Sequence, residues 1–380
     1  LTYGSKRSVR MQSRVGLLTR NIVIRGDGQG EEQSYHFWNV QKASDSSAQQ
    51  CGNGLCEVGE TSLSCSIDCV GSAYEFGASI LVGAYSEDYT VCDAFLQCQE
   101  GYQRRFSGQL DLDNVEIRYF GQNDKRAGLE LINLDDGGAN VSVTNVAMNR
   151  GYYHAIDIQN SNSAIIDGNL IFRSHLPTLR IENGNRNVIS NNLACVAIFW
   201  NTHRGAIQGK GLASPKLNAM IGMFHDGGTN SKFAGNIAAG SERAGFSGPG
   251  VACGDTQSFV QNVAHSALAG YWFDFYRTPS VHAQTGCAAL TDFTAWKIWE
   301  YGIYGETLMP YVHVTGAKVL DSKVGIWLHM GGASSISHVI EDTKVVIKDS
   351  LIVGHSSNGN CGKIKPSLHT CTFLHGVVQS

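Results

Sequence analysis

VSVTNVAMNRGYYHAIDIQNSNSAIIDGNLIFRSHLPTLRIENGNRNVISNNLACVAIFW, residues 141–200, repeats itself. Ile156 and Ile158 recur as Leu179 and Ile181 (179 − 156 = 23), and Ile165-Ile166 recurs at the same interval as Val188-Ile189. Asn145-Val146 recurs as Asn169-Leu170 and again as Asn192-Leu193, at steps of 24 and 23. A fixed period of this size marks a stacked array. Its unit is a set of short strands, because runs of alternating β-branched residues are separated by Asn, Gly, Asp and Ser. Such breakers turn corners between strands, several of them through left-handed backbone angles. One coil cannot bury its inward Val, Ile and Leu, whereas stacked coils share a continuous core. The expectation is an all-β chain wound as a right-handed parallel β-helix. Asn145, Asn169, Asn192, Asn236 and Asn262 are expected to serve the corners as a structural side-chain ladder rather than a ligand site.

Outward from this stretch, alternation begins again at SGQLDLDNVEIRYFGQ (Ser107–Gln122). On the other side, Asn201–Asn230 reads as an excursion from the stack, the kind of insertion that carries binding surfaces. Coils return as FAGNIAAGSERAGF and FVQNVAHSALAGYW, with Asn236 and Asn262 separated by 26, and continue with Gly302-Ile303 and Gly325-Ile326, 23 apart. A last unit spans Val345–Gly354. The β-helix is thus assigned to residues 107–362 and a C-terminal tail to 363–380. Residues 1–26 form strands that precede it, and 27–106 a loop-rich insert carrying a cysteine-rich module at 51–69.

A chain of 380 residues can bury a large core, and 44 Gly against 6 Pro suits many tight corners. With 16% charged residues and a net charge of −4 it offers no basic nucleic-acid surface, and no apolar run is long enough to cross a membrane. Beginning at Leu1 without a signal peptide, it is expected to be a piece of a larger or processed protein, any membrane attachment coming from a segment outside it. Other extracellular proteins, further domains of the same chain and glycans are the expected partners.

Eleven cysteines, several tightly clustered, point to an oxidising compartment. Cys51, Cys56, Cys65 and Cys69 lie within 19 residues (69 − 51 + 1), too few to hold a core. They read as disulfides; zinc thiolates are the other reading, but no Cys-x-x-Cys pair occurs. Cys92 with Cys98, Cys361 with Cys371, and Cys253 with Cys287 are further candidate pairs. The odd count leaves one thiol over, and Cys195, mid-strand in LACVAIFW, is expected to be that thiol and to face the core. Glu57, Glu60 and Asp68 form a possible calcium set, with solvated surface charge as the alternative. Asn140-Val141-Ser142 is the one glycosylation sequon.

Candidate ligand residues are His203 and Arg204, and His225 and Asp226, all in the excursion. His154, beside Tyr152 and Tyr153, is either an acid–base or sugar-stacking residue or a hydrogen-bonded wall histidine. Trp272, Phe273, Phe275, Tyr276, Trp296, Trp299 and Tyr301 offer a glycan platform or simply packing on the wall of the stack. Polysaccharide-hydrolase chemistry needs paired carboxylates, yet Asp135-Asp136 is the single Asp-Asp pair and Arg180-Ile181 is followed by Glu182. Calcium-dependent lyase chemistry could draw on Asp111, Asp113, Asp135 and Asp136, but no convergent base accompanies them.

Several segments together resemble the fibrocystin family of extracellular proteins. RVGLLTRNIVIRG (Arg14–Gly26) resembles the strand that closes a glycine-rich extracellular domain in fibrocystin, fibrocystin-L and the cell-surface hyaluronidases, after which β-helix repeats follow. AAGSERAGFSGPGVACG (Ala238–Gly254), NVAHSALAGYW, FTAWKIWEYGIYG and VIKDSLIVG are similar to fibrocystin-L segments. The resemblance covers Arg14–Gly26 and roughly Ser107–Gly362. CGNGLCEVGETSLSCSIDC departs from it and resembles a cysteine-rich module scattered among extracellular proteins. What the resemblance implies is a cell-surface ectodomain, part of a coat, filament or receptor and associated with cilia or flagella, without catalysis. The alternatives are a non-catalytic glycan-binding module and a calcium-dependent polysaccharide depolymerase like the related hyaluronidases. Where those enzymes carry a His-rich segment, GYYHAIDIQN keeps His154 and Asp157 but lacks the second His and the Gly-Asp. If the chain is an enzyme, His154 and Asp157 are the expected catalytic residues.

Overall fold

The computed structural model describes residues 13–16, 22–25, 77–92, 98–122, 126–198, 222–255, 257–273, 287–307, 311–330 and 344–354. Among them there is no α-helix, only strands and one 3-10 turn at Asp136–Asn140. Each coil lays down three strands, and like strands of successive coils pair in parallel. The first sheet stacks Ser13–Gly16, Leu110–Asp113, Val141–Thr144, Ile165–Asp167, Val188–Ser190, Lys232–Ala234 and Phe259–Val260. The second runs through Glu116–Arg118, Ala147–Asn149, Leu170–His175, Leu193–Ile198, Ile237–Ser241 and Val263–His265. The third runs through Leu129–Asp135, Ile156–Ser161, Leu179–Asn185, Phe224–Thr229, Ala244–Gly248 and Ala269–Phe273. This is the parallel β-helix expected from the repeat.

Where no insertion intervenes the register is the predicted one: Ile156 pairs with Leu179, Ile165 with Val188, and Leu170 with Leu193. The asparagine ladder also forms, with one correction. Asn169, Asn192, Asn236 and Asn262 are buried and linked side chain to side chain, each Nδ2 donating to the next Oδ1 at 2.9–3.0 Å. Asn145 is not a rung. Leu170 pairs with Ala147, so Val146 holds the ladder position and its N–H donates to Asn169 Oδ1 at 2.9 Å. Asn145 sits one residue earlier, exposed at the corner with φ 53°, where Gly168 (φ 66°) and Asn191 (φ 54°) stand in the next coils. The step of 24 in the sequence matched a corner asparagine to a rung asparagine. The two roles are distinct: the corner needs a residue that tolerates left-handed backbone, the rung an amide that both donates and accepts.

The interior is aliphatic in the early coils, with Leu112, Ile117, Leu131, Ile158, Ile166 and Ile181 at most 1% exposed. It becomes aromatic later, where Phe246 meets Phe259 and Phe293 edge to face at 5.8 Å between ring centres. Each fully buried Leu, Ile or Phe stabilises the stack by roughly 1.5–3 kcal/mol.

Three further expectations change. Ser13–Gly16 and Val23–Arg25, read as closing a preceding domain, pair in parallel with Leu110–Asp113 and Glu116–Arg118 as rungs of the same sheets. The connector through Phe106 is not simply loop. Ile80–Gly83 pairs in parallel with Leu129–Ile132, and the same strand continues to Cys92 and returns antiparallel as Cys98–Ser107, a hairpin whose Cys92 and Cys98 are register partners. Cys195 is free, as expected, but half-buried on the outward face, since the inward positions of its strand are Ala194 and Ala197. Alternation, not apolar character, decides its direction. Cys253 and Cys287 form the predicted disulfide, at the point where Val251–Ala252 pairs antiparallel with Cys287–Thr291. Cys51, Cys56, Cys65, Cys69, Cys361, Cys371, Glu57, Glu60 and Asp68 lie outside the described residues.

Candidate functional site

Every third-sheet strand carries one outward residue between inward neighbours: Leu129-Glu130-Leu131, Ile156-Asp157-Ile158, Leu179-Arg180-Ile181, Phe224-His225-Asp226, Phe246-Ser247-Gly248. Parallel register stacks these outward residues into one column, Glu130 beside Asp157, Asp157 beside Arg180, Arg180 beside His225, and His225 beside Ser247. Trp272, Tyr304 and Trp327 continue it. The excursion predicted to run to Asn230 therefore ends earlier, because Phe224–Thr229 is a coil strand. His225 and Asp226 belong to the wall, not to a loop. His203 and Arg204 lie outside the described residues.

The charged members of this column are shielded and paired. Asp157 is 2% exposed and accepts from Arg180 Nε at 2.9 Å and Nη2 at 2.7 Å, with Gln159 Nε2 donating to the same carboxylate at 2.7 Å. This two-pronged contact is the strong geometry for a guanidinium and a carboxylate. Glu130, also buried, accepts from Arg126 Nη1 at 2.8 Å and from the Ala127 N–H at 2.7 Å. His154 is buried next to this group, and its Nδ1–H donates to the Pro177 carbonyl at 2.8 Å. Burial holds its pKa down at about 4, although the Asp157 charge acts in the opposite direction. At neutral pH His154 is thus an uncharged imidazole with its Nδ1 proton committed to the backbone. His225 Nδ1 and Ser247 Oγ are hydrogen bonded at 2.9 Å, and the Gly222 N–H donates to the same hydroxyl at 2.6 Å.

Asp226 points the other way. It takes the inward register position beside Ile181 and lines a cavity of about 10 Å³ with Phe224, Phe246, Phe259 and Ser231. Burial pushes its pKa up to about 6, partly opposed by the Gly228 N–H, which donates to Oδ1 at 3.0 Å.

The structure thus brings Asp157 and His225 to one face, with His154 buried beside Asp157 and with Asp226 on the inward side. Sequence reasoning did not single out Glu130, Arg180 or Ser247 as members of the site. The signal was present in the single outward residue that each third strand offers between core positions. Three of the four candidate calcium carboxylates are engaged with neighbouring side chains: Asp113 is hydrogen bonded by Asn145 and Thr144, Asp135 pairs with Arg105, and Asp136 with Arg186 at 3.1 Å. Among the described residues one cluster has metal-ligand spacing, Cys253, Cys287 and His313, and its two sulfurs are joined in the disulfide.

The aromatic candidates divide. Trp272 stacks on Tyr304 at 4.2 Å and Trp296 on His265 at 4.2 Å, while Phe273 is buried in the core. Trp299 is 59% exposed, and Tyr301 packs against Tyr304 at 4.8 Å. Phe275 and Tyr276 lie outside the described residues.

No protein-family model and no solved structure matches the chain. Fibrocystin-L from Homo sapiens is 29% identical over 321 residues, covering 80% of this chain and 7% of that protein. Fibrocystin from Mus musculus is 26% identical over 256 residues (67% and 6%), and fibrocystin from Canis lupus familiaris 24% over 367 residues (95% and 7%). The chain spans about 7% of the length of these curated relatives.

Proposed function

We propose, for a chain that belongs to the fibrocystin family, the role of a rigid structural or adhesive segment in a cell-surface ectodomain, without catalysis. The observation that carries this reading is the state of the wall column. Its acid and guanidinium are engaged with each other, and the neighbouring base with the backbone: Asp157 with Arg180 and Gln159, His154 with Pro177. A general acid or base must present a proton, or a lone pair, within reach of a substrate. Groups stacked coil on coil and shielded from solvent instead tie the outer surface of the stack together. The same reading places the protein in an extracellular coat, filament or receptor, including those of cilia or flagella, with other domains of a longer chain as its first partners. Asn140, exposed as the last residue of the 3-10 turn, is the proposed glycan attachment point.

One observation favours a second reading, a calcium-dependent depolymerase of acidic polysaccharides. Asp157 and His225 lie on one sheet face with Arg180 between them, and His154 lies close enough to Asp157 to feel its charge, an arrangement that their spacing in the sequence does not require. Size-defined hyaluronan and other acidic glycans, incubated with the protein with and without calcium, separate the two readings. Unchanged polymer length supports the structural role. Shortening that His154→Ala abolishes would replace it with the enzymatic one.

A further inference from the structure

The hairpin of Ile80–Cys92 and Cys98–Ser107 leaves the coil stack, and where it departs it forms one side of an open cleft of about 390 Å³. That volume lies in the range of small-molecule sites. We propose that this cleft binds a neutral pyranose unit of a glycan. The inference does not depend on the structural role proposed above.

The lining of the cleft is chemically suited to a sugar. Tyr85 is 63% exposed, and its ring stacks on Phe106 at 4.9 Å with 15° between planes, which leaves the opposite face of the ring open. An open aromatic face supported from behind suits the C–H face of a pyranose. Around it stand planar polar groups on fixed backbone. Asn133 and Asn160 have left-handed φ (55° and 47°), which short amide side chains tolerate, and Asp135 also has a positive φ (46°), with ψ −129°, at the coil corner. Asn160 Nδ2 donates to Asn133 Oδ1 at 2.8 Å, and Arg105 Nη2 donates to the Asn133 carbonyl at 2.6 Å. Arg105 also pairs with Asp135. These contacts do not use Asn133 Nδ2 or Asn160 Oδ1, which with the Ser86 hydroxyl supply donors and an acceptor for sugar hydroxyls.

Charge selects the class of sugar. Arg105 and Asp135 neutralise each other, so the cleft favours neither a uronate nor an amino sugar. Its lining is more polar than apolar, with Ala84 and Tyr85 the apolar contributors, so it does not suit a lipid or an apolar peptide side chain.

The test uses the whole chain and a panel of defined probes: maltose, cellobiose, lactose and mannobiose as neutral disaccharides, with digalacturonate and chitosan disaccharide as charged ones. Binding is followed by saturation-transfer difference NMR and titration. At least one neutral disaccharide is expected to bind with millimolar affinity or better, and Tyr85→Ala should weaken it about tenfold or more. Tyr85 is exposed, so circular dichroism should show the fold unchanged. Asp135→Asn leaves the Arg105 charge unbalanced and should shift preference toward digalacturonate. The proposal is overturned if no disaccharide binds, if the charged probes bind the unaltered protein best, or if Tyr85→Ala binds as the parent does.

Discussion

Replacing Asn192 with Ala should cost the stack about 3–5 kcal/mol, whereas the same change one residue earlier, at Asn191, should cost about 1 kcal/mol. Asn192 is 1% exposed, and its side chain makes four hydrogen bonds. Oδ1 accepts from the N–H and Nδ2 of Asn169 at 3.0 and 2.9 Å. Nδ2 donates to the Ile166 carbonyl at 3.0 Å and to Asn236 Oδ1 at 2.9 Å. Alanine leaves two buried donors on Asn169 without an acceptor, each costing about 1–3 kcal/mol, and removes a donor from Ile166. Asn191 is exposed and makes one side-chain bond, to Asp167 Oδ1 at 2.9 Å; its loss and the strain of Ala at φ 54° set the smaller figure. A repeat array need not unfold in one step, so a single midpoint is a poor measure. Hydrogen exchange read by mass spectrometry resolves the coils. Asn192→Ala should deprotect amides of 165–172 and 188–195 first, with Asn191→Ala close to the parent. Equal effects of the two substitutions, or a cost below about 1 kcal/mol for Asn192→Ala, would refute the ladder argument.

Other consequences follow from Asp226, His154 and the disulfide. The Asp226 carboxyl, with its pKa at about 6 against 3.8 for a solvent-exposed aspartate, is held as an unfavourable carboxylate above pH 6. Asp226→Asn should therefore stabilise the protein at pH 7 by up to about 3 kcal/mol, the gain shrinking as pH falls from 6 toward 4, in paired denaturation curves. His154 acts in the opposite sense on the acid side: the unfolded imidazole takes up a proton near pH 6.5, the folded one only near pH 4. Stability should fall by up to about 3 kcal/mol across that window, and His154→Asn should flatten this part of the pH–stability curve. Opening Cys253–Cys287, which spans 34 residues, with paired serine substitutions should cost about 4 kcal/mol on the chain-entropy model, read as earlier exchange of the Cys287–Thr291 strand.

Much of the architecture was legible in the chain itself. A core residue repeated every 23 positions, as in Ile158 and Ile181, admits few arrangements other than stacked coils, because only register at that interval keeps every apolar side chain inside. Cys253 and Cys287 could be paired from the cysteine pattern, and the ladder was visible in its Asn169, Asn192, Asn236 and Asn262 members. Only the three-dimensional register separated rung from corner at Asn145, because both positions ask for asparagine, for different physical reasons. Alternation also decided direction where residue type misled, turning Cys195 outward and Asp226 inward. The site is the clearest case. Asp157, Arg180 and His225 are 23 and 45 residues apart along the chain (180 − 157 and 225 − 180), yet each lies beside the next in the wall. The second step is longer because the pattern is interrupted before Phe224, and local sequence carries no measure of where a coil resumes after an insertion. The coil itself was written in local periodicity. The column on its wall depends on which coils become neighbours, and that is settled only when the apolar interior closes.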